Sequence, residues 1–247
     1  MHRFFISHDS FKNGAIYLIG ENAAHAQVLR LRTGEEIVAT ISGSGIEHIC
    51  RILAVSKVEV VAEIMHSRAV KSEPPFEIVL YQALPKGSKM AEIIERATEL
   101  GVTRIVPIIT ARCVSLPKSD SQKSARWQKI AKVAAKLSHR GRIPEISDTI
   151  RLDKALQTVT NPSAAFVCYE LEGKRSLKQH LDKLEPNKLD SLAFFIGAEG
   201  GFEAHEIELF SQQGISPISL GARILRTESA AAMVLANINY AIGETNK

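Results

Sequence analysis

Cysteine is scarce. Cys50, Cys113 and Cys168 are odd in number and far apart. They form no CxxC pair and no zinc spacing, which excludes a disulfide framework and makes a reduced, cytoplasmic chain the expectation. The eight histidines include no HExxH and no paired His/Cys cluster, so no metal site is expected. Long apolar runs are missing as well: none approaches the ~18 residues that span a bilayer. Met1 to Ile6 has no extended apolar core and no small-residue cleavage site, so no signal peptide is expected. Gly-x-Ser-x-Gly is absent, which leaves a small-molecule α/β hydrolase without its nucleophile motif. Acidic residues are nearly absent from one stretch. Between Lys118 and Arg142 stand eight Lys/Arg (118, 123, 126, 129, 132, 136, 140 and 142) against Asp120 alone. Such a stripe is either an electrostatic footprint for nucleic acid or a solvated helix face.

What is present is an ordinary globular composition. Hydrophobic residues make up 45% of 247, enough to bury one large core or two smaller ones. Residues 1–70 alternate as strands do. Glu36 to Ile41 and Glu47 to Ile52 flank Ser42-Gly43-Ser44-Gly45, a hairpin turn signal, and Val58 to Ile64 continues the pattern. One helix, about Asn22 to Leu29, interrupts it, with Gly34 as a stop beyond Val28-Leu29-Arg30-Leu31-Arg32. Lys71-Ser72-Glu73-Pro74-Pro75 reads as a linker, because two prolines bias the backbone to extended structure.

From 76 to 247 strands and helices alternate. Strands are expected at Phe76–Gln82, Arg104–Ile109, Ala164–Tyr169, from Leu192, and at Ile215–Leu220. Pro107 argues for an edge or irregular strand. Helices are expected at Lys89–Leu100, about Ser121–His139, and near Ser176–Leu184. In the long one Trp127, Ile130, Ala134 and Leu137 share one face, and Lys129, Lys132, Lys136 and Arg140 another. This alternation specifies a parallel sheet with helices on both faces.

Two glycine loops stand out, Gly197-Ala198-Glu199-Gly200-Gly201 and Ser219-Leu220-Gly221-Ala222-Arg223. A buried strand feeding a glycine loop and then a helix is where open α/β sheets bind ligands. Neither loop carries the Gly-Lys-Ser/Thr of a phosphate loop, and Glu199 would repel phosphate. The alternative is that the glycines only make tight turns.

Four segments resemble one known family. Glu95-Arg96-Ala97-Thr98-Glu99-Leu100-Gly101-Val102, Arg126-Trp127-Gln128-Lys129-Ile130-Ala131, the Gly197–Gly201 loop and Ser219 to Glu228 are together similar to the RsmE family. Val28-Leu29-Arg30 fits too, and the likeness covers essentially the whole chain. These are 16S ribosomal RNA methyltransferases of the SPOUT superfamily that act on N3 of a uridine. The resemblance implies an α/β fold, a SPOUT-type trefoil-knotted parallel sheet, preceded by a small PUA-like β-barrel that binds RNA. The knot is an exception to the rule that chains avoid threading. It also implies S-adenosyl-L-methionine as cofactor, 16S rRNA or the assembled small ribosomal subunit as partner, and a homodimer packed through the helix from about Thr227 to Ile242. The chain departs from the family pattern at Ala198 and Ala222, where proline is frequent, and at Val133-Ala134-Ala135-Lys136-Leu137.

Mapped onto this chain, the resemblance makes Tyr169, Glu170, Gly197, Glu199, Gly200, Gly201, Leu220, Gly221, Leu225 and Arg226 the expected cofactor contacts. Uracil N3 attacks only once its proton is gone, so a base or an anion-stabilising cation is needed. Arg223 and Arg226 are candidates to stabilise the anion or clamp phosphate. Glu228 is a candidate base, or merely a helix N-terminal charge. Arg226 has a structural alternative, a bridge to Glu199 or Glu228. Arg30, Arg32, Lys86, Lys89, Arg112 and Arg140 are the expected RNA contacts. Two other readings share the fold: a SPOUT enzyme for another RNA site, and a catalytically weak dimeric RNA-binding protein.

Overall fold

Turn chemistry and strand periodicity shape the N-terminal region. The structure is a computed structural model that describes residues 1–12, 14–113, 121–161 and 164–243. Lys118 and Asp120 of the basic stretch lie outside the described residues. The chain divides into two compact units, Met1–Glu73 with Ala135–Ile143, and Pro74–Ala134 with Pro144–Lys247.

The first unit is built on a six-stranded sheet of β1 (His2–Phe5), β2 (Phe11–Lys12), β3 (Ala15–Ile19), β4 (Glu36–Thr40), β5 (Ile46–Val55) and β6 (Glu59–Ala69). Their order is β1-β4-β5-β6-β3-β2. β1 runs parallel to β4, and the other pairs are antiparallel. The β4–β5 hairpin turns at the expected Ser42–Gly45, where Gly43 and Gly45 take left-handed φ of +78° and +73°. Phe4, Ile16, Leu18, Ile37, Ile52 and Val60 form the core with Cys50. Burial pushes the Cys50 thiol up to about 12, so it packs as a neutral side chain.

Helix α1 (Glu21–Val28) does not run on towards Gly34. Arg30 itself takes the left-handed conformation, at φ +55°. The Leu31 N–H then donates to the Ala26 carbonyl, and Leu31 and Ala26 share the core. This is the Schellman arrangement, usually made with glycine. The long helix, named α3 below, ends the same way: His139 has φ +56° and the Arg140 N–H reaches the Ala135 carbonyl.

The second unit carries the parallel sheet of an α/β fold. Its strands are β7 (Glu77–Ala83), β8 (Arg104–Ile109), β9 (Glu145–Ile146), β10 (Ile150–Arg151), β11 (Phe166–Cys168), β12 (Ser191–Ile196) and β13 (Ser216–Ile218). The order is β10-β8-β7-β12-β11-β13, with β9 also on β8. Every pair is parallel. Leu192 to Ile196 are all buried, as a central strand covered on both faces requires. Pro107 is tolerated because the outer neighbour of β8 changes there: β9 pairs at Arg104 and Ile105, β10 at Ile108 and Ile109.

Helices cover both faces. α4 (Leu152–Gln157) and α6 (Ala204–Gln212) bury Leu152, Ala155 and Phe210 against Val79, Tyr81 and Phe195. α2 (Lys89–Glu99) packs on α7 (Thr227–Ala241) on the other face, with α5 (Leu177–Leu181) beside α7. α3 (Ser121–Leu137) is fixed by Gln128, whose side chain accepts from the Ile146 N–H and donates to the Pro144 carbonyl. Its buried face matches the expected one in part: Trp127 and Ile130 are half-buried and Ala134 is buried. Ala131 and Ala135 are buried as well, whereas Leu137 is 71% exposed. Alanines permit close approach, and Leu137 stands at the last turn. No helix among the described residues is long and apolar enough to cross a membrane.

Candidate functional site

Parallel strands of one sheet end on the same edge, and the loops leaving them face one another. Here β11, β12 and β13 deliver residues 168–173, 196–201 and 219–227 to a cavity of about 970 Å³. Lys89 and Ala230, from the starts of α2 and α7, complete the wall.

The Gly197–Gly201 loop is closed by its own backbone. The Gly201 N–H donates to the Ala198 carbonyl at 3.0 Å. A Cβ on Gly197 would lie 2.9 Å from the Gly201 Cα, so glycine is required there for backbone contact rather than flexibility. Gly201 adopts φ +67°, and a Cβ on it would meet Glu170 Oε1 at 2.5 Å.

Side chains from other elements then pin the loop. Thr227, the first residue of α7, donates through Oγ1 to the Gly197 carbonyl at 2.7 Å and accepts from Gln82 Nε2 at 2.9 Å. Both side chains are buried. Arg112 donates to the Gly200 carbonyl and pairs with Glu203 at 2.8 Å. The buried Glu206 carboxylate accepts from the backbone N–H groups of Glu203 and Ala111, both at 2.9 Å. The third loop is laced to its neighbour: the Ser219 N–H donates to the Arg175 carbonyl, and the Leu177 N–H to Ser219.

Glu199 does not present a bare acidic wall. Its carboxylate accepts from Lys89 Nζ at 2.7 Å and from the Lys86 backbone N–H at 3.2 Å. Burial works to raise its pKa, but the Lys89 ammonium and the backbone donors outweigh it and hold the group below the usual carboxylate range. The Glu199 bond in turn raises Lys89, so the pair stays charged. The expectation that Glu199 repels phosphate therefore overlooked its counter-ion. Glu172 is likewise committed, its carboxylate accepting from the backbone N–H groups of Lys174 and Arg175.

The expected residues fall into three groups. Tyr169, Glu170, Gly197, Glu199, Gly200, Gly201, Leu220, Gly221, Arg223, Leu225 and Arg226 all line the one cavity, as does Lys89. Arg223 and Arg226 are exposed, and among the described residues Arg226 makes no ion pair with Glu199 or Glu228. Lys86 and Arg112 hold the glycine loop from outside. Glu228 is not on the cavity wall. It is buried in the first turn of α7 with Oε2 unpartnered, a poor place from which to take a substrate proton.

The RNA candidates of the first unit divide. Arg30 and Arg32 are exposed. Arg140 is a correction: its side chain is 2% exposed and its guanidinium grips Glu73, Nη2 to Oε2 at 2.6 Å. It follows the left-handed His139, which turns it inward, and the Gly141 N–H donates to the same carboxylate. A buried, paired guanidinium has no donors to spare for a phosphate on the surface.

Sequence reasoning missed Thr227 and Gln82 as loop anchors and Lys89 as the partner of Glu199. A hydroxyl heading a helix beside a glycine loop was the available signal for Thr227. Gln82 offered one too, as an amide in an otherwise apolar strand.

The comparisons agree over the whole chain. The family of RNA methyltransferase domains matches residues 72–239, and that of RNA methyltransferase PUA domains matches residues 18–65. The ribosomal RNA small subunit methyltransferase E of Bacillus subtilis is 32% identical over 228 residues, 90% of this chain and 89% of that one. Its counterpart from Aquifex aeolicus is 27% identical, covering 95% and 97%. Among solved structures, the small subunit methyltransferase E of Neisseria gonorrhoeae bound to S-adenosyl methionine superposes with a TM-score of 0.86 at 28% identity, over 97% of both chains. A putative methyltransferase from Legionella pneumophila, in complex with its bound cofactor SAM, gives 0.81 at 31% identity, over 97% and 96%.

Proposed function

We propose, from the premise that this chain belongs to the ribosomal RNA small subunit methyltransferase E family, that it transfers a methyl group from S-adenosyl-L-methionine to N3 of a uridine in 16S rRNA of the small subunit. The observation that carries this reading is the cavity at the ends of β11, β12 and β13, where a glycine loop held by backbone contact meets two further strand-end loops. Its volume suits a nucleoside-sized ligand. The donor set fits S-adenosylmethionine as well. The exposed turn of residues 221–224 suits an adenine edge, and the Glu170 carboxylate on the wall favours a ligand that carries positive charge.

When bound, the cofactor supplies an electrophilic methyl group on sulfur. The residues of the chain do the rest. The loops fix where the methyl group points, which is most of what an in-line displacement needs. Arg223 and Arg226, exposed on the wall, hold the RNA backbone beside the target base. Arg30 and Arg32 extend the contact on the barrel of residues 1–70, which serves as the RNA-binding domain, with 71–75 as linker and 76–247 as the methyltransferase domain. We assign to the last of these the trefoil knot of the SPOUT fold and a homodimer contact through α7. The enzyme works in the cytoplasm.

The test is to map methylated uridines in small-subunit rRNA from cells with and without this protein, then to restore the missing methyl group with purified protein and labelled cofactor. Loss of one N3-methyluridine and its restoration are expected. An unchanged map would sink the reading.

A further inference from the structure

The cavity holds one cation whose surroundings differ from those of the others. Arg223 and Arg226 are exposed to water. Lys89 is about two-thirds covered, with a side-chain exposure of 36%. It stands first in α2, on Ser88 as the cap residue, and that helix packs on α7. Its ammonium is 2.7 Å from Glu199 Oε1. The charged groups facing it come from two other elements, Glu199 from the glycine loop, and Glu228 and Arg226 from the start of α7. Glu228 is buried, and its Oε2 has no hydrogen-bond partner.

The Glu199 carboxylate on the cavity wall poses a problem for the reaction, because the nucleophile is an anion and Glu199 repels it. Lys89 offsets it. An ammonium has three donors, Glu199 takes one, and Lys89 stands on the cavity wall where a bound ligand can reach the others. A cation already held in place by Glu199 costs no reorganisation when the anion forms, unlike a free arginine on the rim.

We propose that Lys89 is a catalytic residue of this methyl transfer: its ammonium donates to a uracil carbonyl oxygen and stabilises the N3 anion. This deepens the function proposed above and rests on it. In the step, the uracil N3–H bond breaks and the proton passes to solvent. The N3 electron pair forms the new N–C bond, while the S–C bond pair returns to sulfur, leaving a neutral thioether. Lys89 remains protonated throughout, as a stabiliser and not a base. Glu199 keeps the ammonium pointed inward before the base arrives.

The experiment is single-turnover methylation of small-subunit rRNA across pH, with RNA and S-adenosylmethionine saturating, for wild type, Lys89→Met and Lys89→Arg. Lys89→Met is expected to lose roughly 100-fold at neutral pH, the scale for removing one preorganised donor. The deficit should shrink as pH rises, because hydroxide then makes the anion unaided. Its pH–rate curve therefore moves to higher pH. Lys89→Arg keeps the charge and stays within a few-fold of wild type with the wild-type profile. Calorimetric affinity for S-adenosylmethionine is expected to change by no more than a few-fold in either, far less than the rate. Three results would overturn the proposal: a raised KM for RNA with an unaltered single-turnover rate, a loss of rate equal at every pH, or a loss of cofactor binding. Wild type that fails to methylate small-subunit rRNA is a different failure, that of the parent reading.

Discussion

Removing a single hydroxyl tests how the glycine loop is held. Thr227→Val conserves volume but deletes the group that donates to the Gly197 carbonyl at 2.7 Å and accepts from Gln82 Nε2 at 2.9 Å. Thr227 is 5% exposed and Gln82 fully buried, so water does not replace what is lost. A buried group left unpaired costs about 1–3 kcal/mol. The carbonyl falls in the middle of that range. The amide falls at the low end, because Gln82 Nε2 still donates to the Ala83 carbonyl. Together they destabilise the second unit by about 3 kcal/mol, which at about 2–4 °C per kcal/mol lowers its melting transition by about 6–12 °C. The same slackening lets Gly197 drift, so affinity for S-adenosylmethionine falls by roughly tenfold, about 1.4 kcal/mol. Scanning calorimetry reads the first effect and titration calorimetry the second. Thr227→Ser keeps both hydrogen bonds and loses about one methyl group, worth about 1 kcal/mol. If the valine variant melts with wild type and the serine variant melts lower, the contribution is packing and the hydroxyl supplies none of it.

Gly197→Ala puts a methyl group 2.9 Å from backbone and should abolish detectable cofactor binding, whereas Gly200→Ala meets the Arg112 side chain at 3.1 Å, can be relieved by a side-chain shift, and should cost less; equal losses in titration would show that the two glycines do the same job. Arg140→Met removes the charge partner of Glu73, which keeps only the Gly141 and Arg142 backbone donors, and should destabilise the first unit by about 3 kcal/mol in denaturant melts. It should leave the salt dependence of RNA binding unchanged, while Arg30→Ala and Arg32→Ala each flatten the slope by about one counterion. Cys50 should resist alkylation in the native protein at pH 9. Its folded pKa is raised to about 12 from 9.0, so the folded state holds the proton that the unfolded chain releases, and stability should fall as pH climbs from about 9 to 12 in alkaline denaturation.

The fold was legible where periodicity and turn chemistry agree. Strand alternation, the Ser42–Gly45 hairpin and the β–α rhythm after residue 76 all have local causes, and the elements arise from them. The left-handed stops at Arg30 and His139 were not legible, because nothing in an arginine or histidine marks that conformation. In each case the next residue imposes it: Leu31 seeks the core beside Ala26, and Arg140 seeks Glu73. The assignment of Ala135–Ile143 to the first unit was hidden for the same reason. It depends on a pairing 67 residues away, while hydrophobic periodicity sees only one turn of helix at a time.

The cavity wall was legible because glycine loops after buried strands are local signals. The partners of those loops were not, because each comes from a distant strand or helix. Glu199 shows the consequence. Taken alone it is an acidic group that excludes anions. Joined to Lys89, 110 residues earlier, it becomes the anchor of a cation, and its repulsion of anions at that end is offset. Arg112 and Arg140 reverse in the other direction. Both count as free positive charge in the sequence, and both are consumed by carboxylates in the fold. A basic composition therefore overstates the surface offered to RNA, and the cations that remain available for it among the described residues are those with no carboxylate folded against them, such as the exposed Arg223 and Arg226 beside the cavity.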